Sequence, residues 1–165
     1  MPGARITLGE REIAVATGVA VLDELLAELA QAGGFGLTLE VSPDEPEAEV
    51  AAAGRALGEG TAALLGAERA AGRGTGIAAA DEALALVALD VSGRPLVASN
   101  ADLTATRAGG LPTDLAAALL HGLAESGGLT IHVRLMEGED SQHVLTAIFR
   151  ALGLALADAY EPRPR

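Results

Sequence analysis

The sequence predicts an α+β fold of two pseudo-repeated halves, each a mostly antiparallel sheet covered by two helices. Three observations carry that prediction. Apolar stripes at helical spacing alternate along the chain with short segments of period two, as helices and half-buried strands require. A helix–glycine–strand unit occurs twice: Leu25, Leu26, Leu29, Ala30, Gly33 and Gly34 recur 94 positions on as Leu119, Leu120, Leu123, Ala124, Gly127 and Gly128. The string "RALG" follows each unit, at Arg55–Gly58 and, 95 positions on, at Arg150–Gly153. A single match means little in an alanine-rich chain, but an ordered series of them marks a duplication.

The elements follow in order. "RITLGEREIAVAT" (5–17) reads as a strand or a short hairpin. Leu22, Leu25, Leu26 and Leu29 form one helix face, and Gly33 can take the left-handed geometry that ends such a helix. "LTLEV" is a strand, and "SPDEPEAEV" a turn entering a helix with proline and acids in its first turn. "DEALALVALDVSGRPLVASNADL" (81–103) reads as strands joined at "SGRP". "TRAGGLP" is a loop before the third helix, and "LTIHVRL" places Leu129, Ile131, Val133 and Leu135 on one strand face. Leu145, Ile148, Phe149, Leu152 and Leu156 stripe the last helix. The whole chain, 1–165, is expected to be one domain, with halves of about 1–92 and 93–160 and an unordered tail at 161–165.

Composition narrows the function. Half of the 165 residues are hydrophobic, yet the only aromatics are Phe35, Phe149 and Tyr160, so the core must be aliphatic. No cysteine is present, which excludes disulfides and thiolate metal sites. The net charge of −12 argues against nucleic acid as a partner. All basic residues are arginine, so a Schiff-base lysine and a P-loop lysine are both excluded. No run reads as a bilayer span, and "MPGARITLGE" lacks the apolar segment of a secretion signal. A cytoplasmic protein with no membrane partner is the expectation.

Three strings in this order, "TGVAVLDELLAELAQAGGFGLTLEV", "DEALALVALDVSGRP" and "GLTIHVRLMEGEDSQHVLTAIFRAL", resemble the imidazoleglycerol-phosphate dehydratase family of histidine biosynthesis. The likeness runs from about Thr17 to Tyr160. It implies two related halves and a metal-dependent dehydration, typically with manganese. In the family each half supplies a histidine in its first helix and His-His-x-x-Glu at the start of its second. That spacing puts the ligands on one helix face.

This chain departs from the pattern at nearly every ligand. Glu24 stands at the first-helix histidine, and about Ala118 at its counterpart in the second half. The first His-His-x-x-Glu falls on "EAEVA", with Ala51 at the glutamate position; the 42–50 loop leaves a residue or two of play. No histidine precedes His121, so no shift restores the set. The second motif is "QHVLT": Gln142, His143 and then Thr146 in place of glutamate. His143 is the remnant of the metal motif. One imidazole does not hold a catalytic divalent ion, which needs about three protein ligands. Glu24, Glu47 and Glu49 are read as a solvated acidic face rather than as replacement ligands. No metal and no other cofactor is therefore expected.

The resemblance also implies an anion-binding set for the substrate's phosphate. Arg94 of "SGRP" and Arg150, where the family has lysine, match it, and Arg73 or Arg69 in the 66–76 loop stands for a further arginine. The family's Ser-x-Lys element near the C-terminus is missing. Either these arginines converge on an anion, or Arg94 and Arg150 make structural ion pairs. Asp81 and Glu82 match an acidic segment that in the family lies near substrate; here they also suit a capping or ion-pair role. His132 and His121 read as surface residues, and Glu10 or Glu12 matches a family acid too loosely to carry a mechanism.

Family members form trimers that join into cages. The expectation is therefore a homo-oligomer, as a trimer or a trimer-based cage. The activity expected is a family homologue without the metal-dependent dehydration: a structural or regulatory paralogue, with an active dehydratase as a further partner. The alternatives are an enzyme or binding protein for a phosphorylated or imidazole-like small molecule, and a genuine dehydratase with unorthodox ligands.

Overall fold

The structure, a computed structural model, describes residues 3–9, 11–66, 70–101, 107–108 and 111–162. The duplication is visible in its elements. The first unit runs β1 (Gly3–Leu8), β2 (Ile13–Ala16), α1 (Ala20–Gly33), β3 (Phe35–Glu40), α2 (Pro46–Leu65). After β4 (Arg73–Ala80) the same order returns as β5 (Ala83–Val91), β6 (Leu96–Ser99), α3 (Thr113–Gly127), β9 (Leu129–Glu137), α4 (Ser141–Tyr160). A two-residue ladder, β7 (Arg107–Ala108) with β8 (Leu111–Pro112), sits inside the stretch read as a loop before α3.

Sheet pairing repeats too. β3 lies between β1, antiparallel to it, and β2, parallel to it. β9 lies between β5, antiparallel, and β6, parallel. β2–α1–β3 and β6–α3–β9 are thus crossover units, the connection that parallel neighbours require. The expected short hairpin at 5–17 is accordingly absent: β3 inserts between β1 and β2. Each sheet is mixed, with one parallel pair, and β4 adds an antiparallel outer strand beside β5.

The expected division near residue 92 cuts the second sheet. β5 precedes that point in sequence but hydrogen-bonds to β4 and β9. By sheet membership the boundary lies in the α2–β4 connection. Alternation within a strand says which face is buried, not which sheet it joins, so the sequence could not place the boundary.

Local signals explain the elements. α1 buries Leu22, Leu25, Leu26 and Leu29 on its predicted stripe. It ends at Gly34, one residue beyond the expected Gly33, with φ of 72°. Gly128, 94 positions on, has φ of 66°. Only glycine adopts that region without strain at a helix end.

The helices lie between the two sheets and pair across the halves, α2 with α3 and α1 with α4. α4 also covers β4 and β5. By length and composition α4 could cross a bilayer. Its apolar stripe is instead the middle of the core, with Leu145, Ile148, Phe149 and Leu156 fully buried. The two "RALG" glycines mark the crossings. A Cβ on Gly58 would meet the Ser126 Cβ at 2.6 Å and the Gly127 nitrogen at 2.9 Å. A Cβ on Gly153 would overlap the carbonyl of Leu29. The Gly58 Cβ would also lie 3.0 Å from the carbonyl oxygen of Leu123, the repeat partner of Leu29, so the same contact is made twice.

One buried polar atom stands out in α2: the Thr61 hydroxyl has no hydrogen-bond partner among the described residues. Replacing it removes an unmet donor and acceptor. Thr61→Val is expected to hold or raise stability, by up to about 1 kcal/mol, measured as the urea midpoint. A loss of more than that amount would show the hydroxyl to be satisfied.

Candidate functional site

β4 and β5 are joined by a two-residue turn, Asp81-Glu82, between the paired Ala80 and Ala83. Asp81 sits at φ of 51°, a left-handed conformation that aspartate tolerates better than most residues. This hairpin tip reaches the start of α4. There the Asp140 carboxylate caps the helix, accepting the backbone N–H of Gln142 at 2.9 Å and of His143 at 3.1 Å.

The two segments interlock through His143. Its Nδ1 lies 2.7 Å from Glu82 Oε2 and its Nε2 lies 3.3 Å from Asp81 Oδ2. Asp140 Oδ1 stands 3.9 Å from Nδ1. Glu82 Oε1 also accepts the N–H groups of Asp140, at 2.9 Å, and Glu139, at 3.3 Å. The Asp140 N–H first, then the backbone N–H of Glu82 itself and the imidazole, hold the Glu82 carboxyl down at about 2, against an ordinary 4.5. The Glu82 hydrogen bond raises the His143 pKa above its ordinary 6.5, assisted by the charges of Glu82, Asp140 and Asp81.

The sign of each shift sets a pH window. The depressed Glu82 contributes stability that is present above pH 4.5 and fades as pH falls toward 2. The raised His143 contributes stability that is complete below 6.5 and is lost as pH rises through its folded value. The gap in melting temperature between wild type and Glu82→Gln is therefore expected to be widest between about pH 4.5 and 6.5. A gap that grew steadily toward pH 9 would contradict the pairing.

Thr146, at the glutamate position of the motif, donates its hydroxyl to the Gln142 carbonyl at 2.9 Å, within its own helix. Glu24, Glu47 and Ala118 are exposed, whereas Glu49 is buried, its carboxylate against Gly18. The buried Glu49 departs from the solvated face expected of it. Among the described residues no three His, Asp or Glu side chains form a group suited to a metal ion. At the family's ligand positions this chain carries Glu24, Ala51, Ala118, Gln142, His143 and Thr146.

The arginines do not converge within one chain. Arg150 donates to Glu28 through Nε at 2.8 Å and Nη2 at 3.3 Å, and to the Ala79 carbonyl at 3.0 Å. It ties α4 to α1 and β4, and Glu28 raises its pKa further. For Arg150 the anion-binding expectation gives way to the ion-pair one. Arg94 lies exposed in the β5–β6 turn, which Ser92 and Thr130 brace by hydrogen bonds to its backbone. Arg73 opens β4 opposite Asp90. Arg73 and Ala79, six residues apart, are about 20 Å apart at strand rise, so Arg73 and Arg94 occupy the end of the sheet away from Arg150. Arg73, Thr75, Asp90, Thr130 and His132 line an open groove of about 370 Å³ on the outer face of the second sheet. His121 and Glu12 are exposed; Arg69 and Glu10 lie outside the described residues.

Two participants were missed in the sequence. Asp140 carried a signal, since an acid just before a helix start is a preferred cap. Glu28 carried none: its partner is 122 residues away.

Comparison with known proteins supplies the lineage. The family model for imidazoleglycerol-phosphate dehydratase matches residues 17–156. Proteins of that name from Clostridium botulinum (strain Kyoto / Type A2) and Desulforudis audaxviator are 34% and 37% identical. The alignments cover 93% and 92% of this chain and 80% and 79% of those proteins. The crystal structure of imidazoleglycerol-phosphate dehydratase from Staphylococcus aureus superimposes with a TM-score of 0.88 at 25% identity, covering 98% of each chain. That of the enzyme from Pyrococcus furiosus gives 0.85 at 26% identity, covering 98% of this chain and 90% of the other. With its repeated units, their sheet pairing and these matches, the chain belongs to the imidazoleglycerol-phosphate dehydratase family.

Proposed function

We propose that this chain keeps the family scaffold without the metal-dependent dehydration and serves as a structural or regulatory paralogue within a homo-oligomer. The observation that supports it is the donor set at the α4 motif. Gln142 and Thr146 are poor ligands for a divalent cation, Thr146 is spent on its own helix, and the His143 Nδ1 is hydrogen-bonded to Glu82. A catalytic metal needs about three protein ligands and an open position. On this reading manganese is not a cofactor, and a trimer or cage is held by packing rather than by metal. A cytoplasmic location fits the family's place in histidine biosynthesis.

A second reading has the comparisons on its side. Relatives sharing a third or more of their residues over nine-tenths of the chain are named as dehydratases. That favours a working dehydratase of histidine biosynthesis with unorthodox ligands. Binding of a phosphorylated or imidazole-like small molecule is the weaker variant, because of the three candidate arginines Arg150 is paired with Glu28 and Arg73 also has an interaction of its own.

One assay separates the two. Purified protein is supplied with imidazoleglycerol phosphate and added manganese, and dehydration is followed against buffer. The first reading expects no rate above background and no change in His143→Ala. Turnover that requires manganese and is abolished by His143→Ala would establish the second.

A further inference from the structure

We infer that the outer edge of β1, with the adjoining face of α2, is a docking seat for an extended peptide segment that adds to the first sheet as a fourth strand. The duplication carries the inference, because the second half shows the equivalent seat filled. There β4 lies outside β5, whereas among the described residues β1 has no strand outside it. The inference stands apart from the question of metal and dehydration.

Register fixes the correspondence. Leu8 pairs with Phe35 and Val91 with Leu129, and Phe35 and Leu129 are repeat partners 94 positions apart. Ala4, Ile6 and Leu8 therefore match Val87, Leu89 and Val91. In β3 the Leu37 N–H donates to the Glu12 carbonyl, on the β2 side. Backbone direction alternates along a strand, so Gly36 and Thr38 bond toward β1, to Thr7 and Arg5. That leaves the N–H and C=O groups of Ala4, Ile6 and Leu8 aimed at the open edge. Their counterparts face β4, where the Val91 N–H donates to the Gly72 carbonyl at 2.7 Å. An open edge is a template for strand addition. Side-chain cover differs in the same sense: Val87 and Leu89 are buried, Ala4 and Ile6 only half-buried.

α2 supplies the other side of the seat. A Cβ on Gly60 would lie 3.4 Å from the Ala4 carbonyl oxygen, so the helix adjoins the edge. In the second half α4 grips the added strand: Arg150 donates to the Ala79 carbonyl at 3.0 Å, and Asp158 accepts the Thr75 N–H at 2.9 Å. The repeat partner of Arg150, 95 positions back, is Arg55, which is exposed. Glu28, which pairs with Arg150, has Gly122 as its own repeat partner, so Arg55 lacks that ion pair and can hold a strand carbonyl.

β4 also shows what fits. A Cβ on Gly74 would overlap the Ala155 carbonyl, and one on Gly76 the Ala151 carbonyl. The occupant is therefore an extended segment of another polypeptide with glycine or alanine at every second position. The β1 strand of a second copy fits worse, since it would turn Ile6 and Leu8 toward the helix where β4 has glycines. Pairing β1 with β1 about a two-fold axis would also bring both α2 helices over one seam.

The test adds a synthetic peptide of the β4 sequence, Arg73–Ala80, to the full chain at millimolar concentration and follows amide hydrogen exchange. Exchange at Ile6 and Leu8 is expected to slow about tenfold, the worth of one new backbone hydrogen bond. Arg5 and Thr7, already bonded to β3, are expected not to change. A peptide with valine at both glycine positions is expected to have no effect. Arg55→Ala is expected to weaken binding of the first peptide about tenfold while keeping the wild-type melting temperature. Unslowed exchange at Ile6 and Leu8, equal slowing at Arg5 and Thr7, or equal slowing by the valine peptide would overturn the inference. Undiminished binding by Arg55→Ala would do so as well. Slowing that rises with protein concentration in the absence of peptide would give the seat to a second copy and overturn the assigned occupant.

Discussion

Gly153→Ala is expected to cost about 3 kcal/mol of stability, toward the upper end of overpacking penalties. The added methyl would sit inside the carbonyl of Leu29 and close to its Cα at 3.1 Å. Those are backbone atoms of another helix and cannot rotate away. Alanine gains up to about 1 kcal/mol over glycine in helix propensity, which the overlap must exceed. Gly58→Ala, the repeat partner, is expected to cost less, about 2 kcal/mol, because its overlaps, with the Ser126 Cβ at 2.6 Å and the Gly127 nitrogen at 2.9 Å, are shallower than the one at Gly153. Urea midpoints at constant m-value measure both. Equal losses at the two glycines, or a stabilised Gly153→Ala, would show that α1 and α4 do not cross where the structure has them.

Phe149→Ala is expected to cost about 4 kcal/mol, the range for emptying a buried aromatic site. Phe149 is fully buried on α4. Its helix neighbours Ala147, Ala151 and Ala155 are also buried and are too small to fill the space. A domain is commonly stable by only about 5–15 kcal/mol, so this one change removes a large share. A loss below about 1 kcal/mol would place Phe149 at a surface. Phe149→Leu should recover more than half of the loss, since it restores most of the volume.

How far the sequence could be read varied with the range of each interaction. The stripes on α1 and α4 were legible because a helix face is written at intervals of three and four residues. Gly34 and Gly128 were legible through the duplication, although the left-handed residue lies one place beyond the glycine expected. β1 and β2 were read as one strand or hairpin because nothing local tells a turn from a crossover. Arg150 matched an anion-binding position, and only its placement beside Glu28 and the Ala79 carbonyl made it an ion pair.

The sequence by itself determined the class of fold, the duplicated unit and the family. All three are matters of residue type and order, which a chain carries before it folds. Tertiary structure decided the rest: that β5 belongs with β9, that the "RALG" glycines are crossing points, and that His143 meets Asp81 and Glu82. Each of these joins residues 38 or more positions apart. Such contacts form only when sheets and helices close on one another, and no local periodicity records the outcome.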